Sequence, residues 1–166
     1  MQPVHLKVDV DRTGRPRGAT AEARVARSAA HLWKVIEDVD RYPERVPMIH
    51  RVRLDGDRAT VDLKFKVSLI SVGFRFVVDV KSEPEKWLEL SWVDGEPRDI
   101  RLRFDLDPIE GEDACMLRSS GAFDVMSLGW LAKYFLKHHP EIQFGVLPGV
   151  ALALLESMRR AAEEGL

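Results

Sequence analysis

The 166-residue sequence predicts an α+β fold in which a curved antiparallel sheet wraps around a long C-terminal helix. Apolar residues recur at steps of three and four between residues 140 and 165, with Glu and Arg on the other side, which is typical of an amphipathic helix. Residues 48–123 instead alternate between apolar and charged side chains, which is typical of strands with one face in water. We therefore expect the apolar faces of sheet and helix to meet around a hydrophobic cavity.

Length and composition are those of one domain, residues 1–166. A chain of this size can bury roughly 70% of its unfolded surface and needs no disulfide or metal for its core. The single cysteine, Cys115, is predicted to be a buried thiol in a strand. Lys+Arg 25 against Asp+Glu 27 leaves no overall electrostatic signature of nucleic-acid binding. With no uninterrupted apolar run of about 18 residues and no secretory signal pattern, we expect a soluble, cytoplasmic protein.

The first elements are an extra hairpin strand and a helix pair. Residues 4–11 alternate as a half-buried strand, RTGRPRG forms a turn, and residues 19–27 alternate again, so the two strands are predicted to pair. Ser28 stands at an N-cap position before AAHLWKVIED, which predicts a short helix. Pro43 and Pro47 limit the next segment to about one helical turn.

From residue 48 onward, six strands are predicted, with turns at DGD, SEPEK, DGEPR and PIEGED. Such short turns predict an antiparallel meander. The predicted inward residues are Met48, His50, Val52, Leu54, Val61, Leu63, Phe65, Val67, Leu69, Phe74, Phe76, Val78, Val80, Leu88, Leu90, Trp92, Ile100, Leu102, Phe104, Leu106, Cys115, Leu117, Ser119, Gly121 and Phe123. A helix over residues 127–139 follows, and the long helix over 140–165 completes the chain.

The local motifs of several enzyme classes are missing from the sequence. It contains no GxxxxGK[ST], GxGxxG, GxSxG, HExxH or CxxC, so no cofactor is predicted. His138, His139 and Glu141 are the nearest approach to a metal cluster. Because adjacent helical residues point roughly 100° apart and Pro140 interrupts the element, we interpret them as a solvated helix end and predict no metal site.

The order of elements, together with SAAHLWKVIEDVDRYPERVP, resembles the START-like, or SRPBCC, superfamily. DVDRYPERVPMIHRV is similar to its polyketide cyclase/dehydrase and coenzyme Q-binding branch. The resemblance covers residues 19–165 and implies the helix-grip (START-like, Bet v 1-like) fold, from which the strand at 4–11 departs. Members include lipid and sterol carriers, quinone-binding chaperones, aromatase/cyclases and ribosome-associated toxins, so the resemblance does not select an activity.

The leading hypothesis is carriage of a lipid, sterol-like compound or isoprenoid quinone in the cavity, because the inward faces are almost wholly apolar. The alternative for the interior is a core filled by its large side chains. His50 and Ser119 are weak candidates for proton transfer, which an aromatase/cyclase would need. A ribosome-associated protein is the third hypothesis. The predicted ligand-binding residues are Met48, His50, Phe65, Phe76, Leu90, Trp92, Phe104, Ser119, Leu154 and Met158.

Two apolar segments are predicted to form an entrance or lid. Their residues are Leu69, Ile70 and Val72 in a strand-to-strand turn, and Trp130, Tyr134 and Phe135 on a helix that also carries Lys133 and Lys137. Exposed aromatic and basic side chains suit transient contact with a membrane surface. The alternative is that the turn packs under the helix and closes the core. Pro148 and Gly149 are a candidate hinge.

Overall fold

The computed structural model describes residues 3–67 and 69–165. It confirms the helix-grip fold: one eight-stranded antiparallel sheet in the order β1-β2-β8-β7-β6-β5-β4-β3, with a long C-terminal helix packed on its inner face. The strands are β1 Val4–Val10, β2 Pro16–Val25, β3 Ile49–Asp55, β4 Arg58–Val67, β5 Ile70–Glu83, β6 Trp87–Gly95, β7 Arg98–Pro108 and β8 Cys115–Asp124. The helices are α1 Ala29–Ile36, α2 Tyr42–Arg45, α3 Gly129–His138 and α4 Gln143–Glu164, with 3-10 turns at Val39–Arg41, Val125–Ser127 and Pro140–Ile142.

The predicted N-terminal hairpin is confirmed, and β1 pairs with β2 within the chain. The turn between them is ordered by Asp11, whose carboxylate accepts hydrogen bonds from the backbone N–H of Thr13 at 2.8 Å and of Arg15 at 3.1 Å. Its second oxygen accepts from Arg17 Nε at 3.0 Å. These bonds hold the pKa of Asp11 well below its usual range, the largest cause being the Thr13 side chain.

The helix pair α1–α2 is held by hydrogen bonds to the end of α1. Ser28 caps α1 as predicted, its Oγ accepting from the N–H of His31 at 3.3 Å. The buried Tyr42 hydroxyl donates to the carbonyl of Ile36 at 2.6 Å, and Arg45 donates to the carbonyl of Val35 at 2.7 Å. The chain therefore leaves α1 in a fixed direction and enters β3 at one end of the sheet.

The closest packing of α4 is on β2 and β8. The inner face of β2 carries the buried residues Ala19, Ala21, Ala23 and Val25, whose small side chains let the helix approach the sheet. The outer face is charged as predicted, with cross-strand pairs such as Arg75–Asp62, Arg58–Asp79 and Arg118–Glu22.

Among the described residues, one segment, Pro140–Glu164, is long and apolar enough to cross a membrane by length and composition. The segment is not an uninterrupted apolar run, since Pro148 and charged residues lie within it. In the fold, this helix buries Leu147, Leu155, Met158 and Ala162 against its neighbours, so its apolar side is the core-facing side. The helix ends at Gly165, whose positive φ of 74° closes it with a hydrogen bond to the carbonyl of Ala161.

Candidate ligand cavity

An apolar cavity of about 330 Å³ lies between α3, the N-terminal half of α4 and one end of the sheet. Small-molecule pockets typically measure about 300–1,000 Å³, so this one suits a small or slender ligand. The lining residues share apolar side chains without exception. They are Met48, Ile49, Leu63, Val72, Phe74, Phe76, Pro97, Ile100, Leu102, Phe123, Leu128, Ala132, Phe135, Val146, Val150 and Leu154.

The periodicity of each element brings these residues to one space. On β5, Val72, Phe74 and Phe76 point inward at every second position, as residues on one face of a strand must. On α4, Val146, Val150 and Leu154 follow each other at four-residue spacing and form one stripe along the helix. β5 therefore contributes two aromatic rings to the sheet side of the wall, and the stripe on α4 contributes branched aliphatic side chains to the helix side.

Only some of the predicted ligand-binding residues lie on this cavity. Met48, Phe76 and Leu154 line it. Four others lie in the filled part of the core and have no surface on the cavity: Leu90, Phe104, Ser119 and Met158. Trp92 is half-buried, and its indole N–H donates to the carbonyl of Gly95 at 3.1 Å. The side chain of Phe65 lies outside the described residues.

The prediction that His50 faces inward is wrong. Strict alternation from Met48 placed His50 inside, but the pairing of β3 with β4 changes register between Ile49 and Arg51. That irregularity puts the side chain of Ile49 on the cavity and leaves His50 exposed. His50 therefore has no access to a ligand in this cavity.

Ser119 is inward-facing and buried, as predicted, but it lies away from the cavity. Its strand neighbours are Ala21 on β2 and Phe104 on β7. Its hydroxyl has no hydrogen-bond partner in the described part of the chain. An isolated hydroxyl among apolar side chains has nothing to exchange a proton with, so Ser119 is a poor candidate for catalysis.

The predicted entrance residues fall into two groups. Val72 and Phe135 line the cavity. Leu69, Trp130 and Tyr134 point into solvent, with relative exposures of 101%, 79% and 57%. The side chain of Ile70 lies outside the described residues. The α4 helix runs without a break through the candidate hinge at Pro148 and Gly149.

Several lining residues were not among the predicted ligand contacts. Phe74, Ile100, Leu102 and Phe123 were predicted to face inward, but their alternation is the same as that of the filled part of the core. Pro97 lies in the predicted turn DGEPR, although it is buried in the structure. The one usable signal was the four-residue spacing of Val146, Val150 and Leu154.

The histidines near the end of α3 lie at the surface. His138 Nδ1 is 2.9 Å from the carbonyl oxygen of Tyr134, and His139 Nδ1 is 3.1 Å from a carboxylate oxygen of Glu141. Over residues 3–67 and 69–165, no group of three His, Cys, Asp or Glu side chains comes together as metal ligands would.

The fold is that of the START superfamily. The family model described as polyketide cyclase / dehydrase and lipid transport matches residues 25–161, and the chain belongs to that family. Among curated proteins, none matches this sequence.

Solved structures show the same fold at low sequence identity. A START superfamily protein from Mycobacterium smegmatis is 17% identical with a TM-score of 0.70, over 90% of this chain and 99% of that one. The Zhui aromatase/cyclase of a Streptomyces species is 15% identical with a TM-score of 0.60, over 96% of this chain and 94% of that one. At such identities the likeness shows the fold and no activity.

Proposed function

We propose that this protein binds a hydrophobic small molecule in the apolar cavity and carries it without transforming it. The observation that supports this most directly is the wall itself, in which every lining side chain is apolar. Water in such a space has no hydrogen-bond partners, so a hydrocarbon or ring system is the better occupant. A lipid chain, a sterol-like compound or an isoprenoid quinone has the required chemistry.

The lining also favours carriage over a cyclase reaction. A general acid or base must lie within hydrogen-bond reach of the reacting atom. None of the side chains lining the cavity in the described part of the chain can titrate, and the two candidates from the sequence, His50 and Ser119, lie elsewhere. The proposal requires no cofactor.

We further propose that the ligand enters from a membrane surface. Trp130 and Tyr134 on α3, with Leu69 at the tip between β4 and β5, are exposed apolar side chains. The same two elements supply Phe135 and Val72 to the cavity wall, so a bilayer that contacts the tips would lie beside the cavity. Amphipathic aromatic rings suit the membrane interface.

The cavity assignment is tested by filling the cavity. In Val150→Trp, the indole would occupy the space next to Leu154, and we expect affinity for cis-parinaric acid and for a decyl-substituted benzoquinone to fall at least tenfold. Because cavity filling commonly stabilises by about 0.5–2 kcal/mol, thermal stability should hold or rise. Native mass spectrometry of the purified protein, with analysis of its organic extract, would show whether a natural ligand is lost in parallel.

Val77→Trp is the matched control. Val77 is also a half-buried valine, but it lies on the outer face of β5 and has no surface on the cavity. This variant should bind both probes as the unmodified protein does. Equal binding by all three proteins would refute the cavity assignment, and turnover of a model polyketide would favour the cyclase alternative.

The membrane proposal has its own test. Trp130→Ser combined with Leu69→Ser should reduce co-sedimentation with vesicles and slow the transfer of a bound fluorescent lipid between them. Leu54→Ser is the control, since Leu54 is 39% exposed at the far end of β3. If vesicle binding and transfer are unchanged in the double variant, the ligand enters by another route.

The near balance of positive and negative charge supports a small molecule as the partner, rather than ribosomes or nucleic acid. We also propose that the protein is located in the cytoplasm. Pelleting with ribosomes would contradict the first proposal. Fractionation of cells that express a tagged chain tests the second.

A further inference from the structure

A second open space, a groove of about 870 Å³, lies on the other side of α3 from the cavity. Its walls are the β1–β2 turn, the end of β8 with the 3-10 turn after it, and the facing sides of α3 and the start of α4. α3 separates the two spaces, since Ala132 and Phe135 face the cavity whereas Lys133 and Lys137 line the groove.

Three cations in this groove have no carboxylate partner. Within the described residues, no ion pair within 4.0 Å involves Arg15, Lys133 or Lys137. They come from two separate elements, the hairpin turn and α3, which the fold brings together. In a chain whose formal net charge is −2, the groove is therefore a local concentration of unpaired positive charge.

Most carboxylates that line the groove already have hydrogen-bond or ion-pair partners. Asp11 accepts hydrogen bonds from Thr13 and the Arg15 backbone and is ion-paired with Arg17 at 3.0 Å. Asp124 accepts from the N–H of Met126 at 3.0 Å, and its other oxygen lies 3.6 Å from Arg98. Asp99 also lines the groove, and among the described residues its carboxylate makes no ion pair within 4.0 Å.

The groove also has an apolar floor. Phe123 and Phe144 lie in it beside the buried Leu136. A molecule that carries both an anionic group and a short apolar body can satisfy the cations and the floor together, whereas a fully apolar molecule would leave the cations without a partner.

The hairpin that supplies one wall lies outside the family match, which begins at residue 25. The groove is therefore built partly by a segment that the family pattern does not include. We propose that it is a second binding site, separate from the cavity, for a phosphate or carboxylate group attached to a short apolar body, with Arg15, Lys133 and Lys137 holding the anion.

The experiment is a calorimetric titration of the full chain with hexyl phosphate, compared with hexan-1-ol and inorganic phosphate. Hexyl phosphate should bind more tightly than either single part. The double variant Lys133→Glu, Lys137→Glu should weaken its binding at least tenfold, since each exposed ion pair contributes roughly two- to fivefold and reversal also adds repulsion. Lys34→Glu with Lys81→Glu carries the same change in net charge outside the groove and should bind normally.

Asp99→Asn gives a prediction of opposite sign. Removing this negative charge from the groove should tighten hexyl phosphate binding by roughly two- to fivefold. The positive φ of 57° at residue 99 is one that asparagine adopts readily, so the backbone should be unchanged. A loss of binding in the lysine variant alone could reflect local unfolding, but a gain in Asp99→Asn could not.

Two further measurements show whether the anion is free or displayed on a membrane, and whether it binds in the groove or in the cavity. If vesicles of phosphatidic acid, but not of phosphatidylcholine, bind in a lysine-dependent way while hexyl phosphate does not, the groove takes a phosphate displayed on a membrane. The cavity-filled variant Val150→Trp should bind hexyl phosphate normally. The proposal is overturned if Val150→Trp loses hexyl phosphate binding, or if hexan-1-ol binds as tightly as hexyl phosphate. It is also overturned if neither groove variant changes hexyl phosphate binding and the binding of vesicles does not depend on the lysines.

Discussion

The two ends of the space between sheet and helix are built from the same kind of residue and differ in packing. At one end, Phe104 and Leu106 of β7 and Leu155 and Met158 of α4 are all buried in the same hydrophobic core, and none of the four lines the cavity. At the other end, residues of the same two elements surround a cavity of about 330 Å³. Inward apolar alternation therefore sets which side of a strand faces the helix, but not whether the space between them is filled.

The difference follows from side-chain size on the facing elements. At the filled end, the small side chains of the β2 alanines let α4 pack closely on β2 and β8. At the open end, the smaller side chains Ala132 of α3 and Val146 and Val150 of α4 line the cavity. The space between sheet and helix is therefore a close-packed core at one end and a cavity at the other.

The sharpest test of this comparison uses two leucines on one face of one strand. Leu106→Ala at the filled end should lower the free energy of unfolding by about 2–5 kcal/mol, because it leaves a cavity in close packing. Leu102→Ala should cost clearly less, since Leu102 already borders an empty space. Urea denaturation followed by circular dichroism measures both changes. Equal losses would mean that the cavity is closed in solution.

A smaller effect of opposite sign is expected at Ser119. Among the described residues its buried hydroxyl has no hydrogen-bond partner, so Ser119→Ala removes a desolvated polar group and should raise the free energy of unfolding by up to about 1 kcal/mol. Ligand affinity should not change, because Ser119 has no surface on the cavity. Loss of ligand binding in this variant would show that the ligand extends into the end described as filled.

The smallest perturbation is chemical labelling of Cys115, at the start of β8. Burial, with the nearby charges of Asp107 and Asp113, raises the pKa of the Cys115 thiol to about 11. At pH 8 roughly one thiol in a thousand is then ionised in the folded protein, compared with a free-cysteine pKa of about 8.5. Labelling by Ellman's reagent should be at least about 100-fold slower than in urea-unfolded protein. Rapid labelling of the folded protein would contradict tight packing at this end.

The architecture could be predicted from the sequence alone. Period-two alternation, the Ser28 cap and the stripe on α4 correctly predicted the hairpin, the meander, α1 and the C-terminal helix, because local periodicity fixes which residues share a face. Which inward residues surround a cavity depends on how the elements pack against each other. Phe104 and Leu102 alternate alike, but Phe104 is buried in the filled core and Leu102 lines the cavity.

Tertiary structure also decided the exposure of His50, because one register change in strand pairing turned it outward. It placed Arg15 on the same groove as Lys133 and Lys137, which are more than a hundred residues away in the chain. In each case, the outcome depends on the distance and register between elements that are remote in sequence, and the periodicity of a single element carries no information about either.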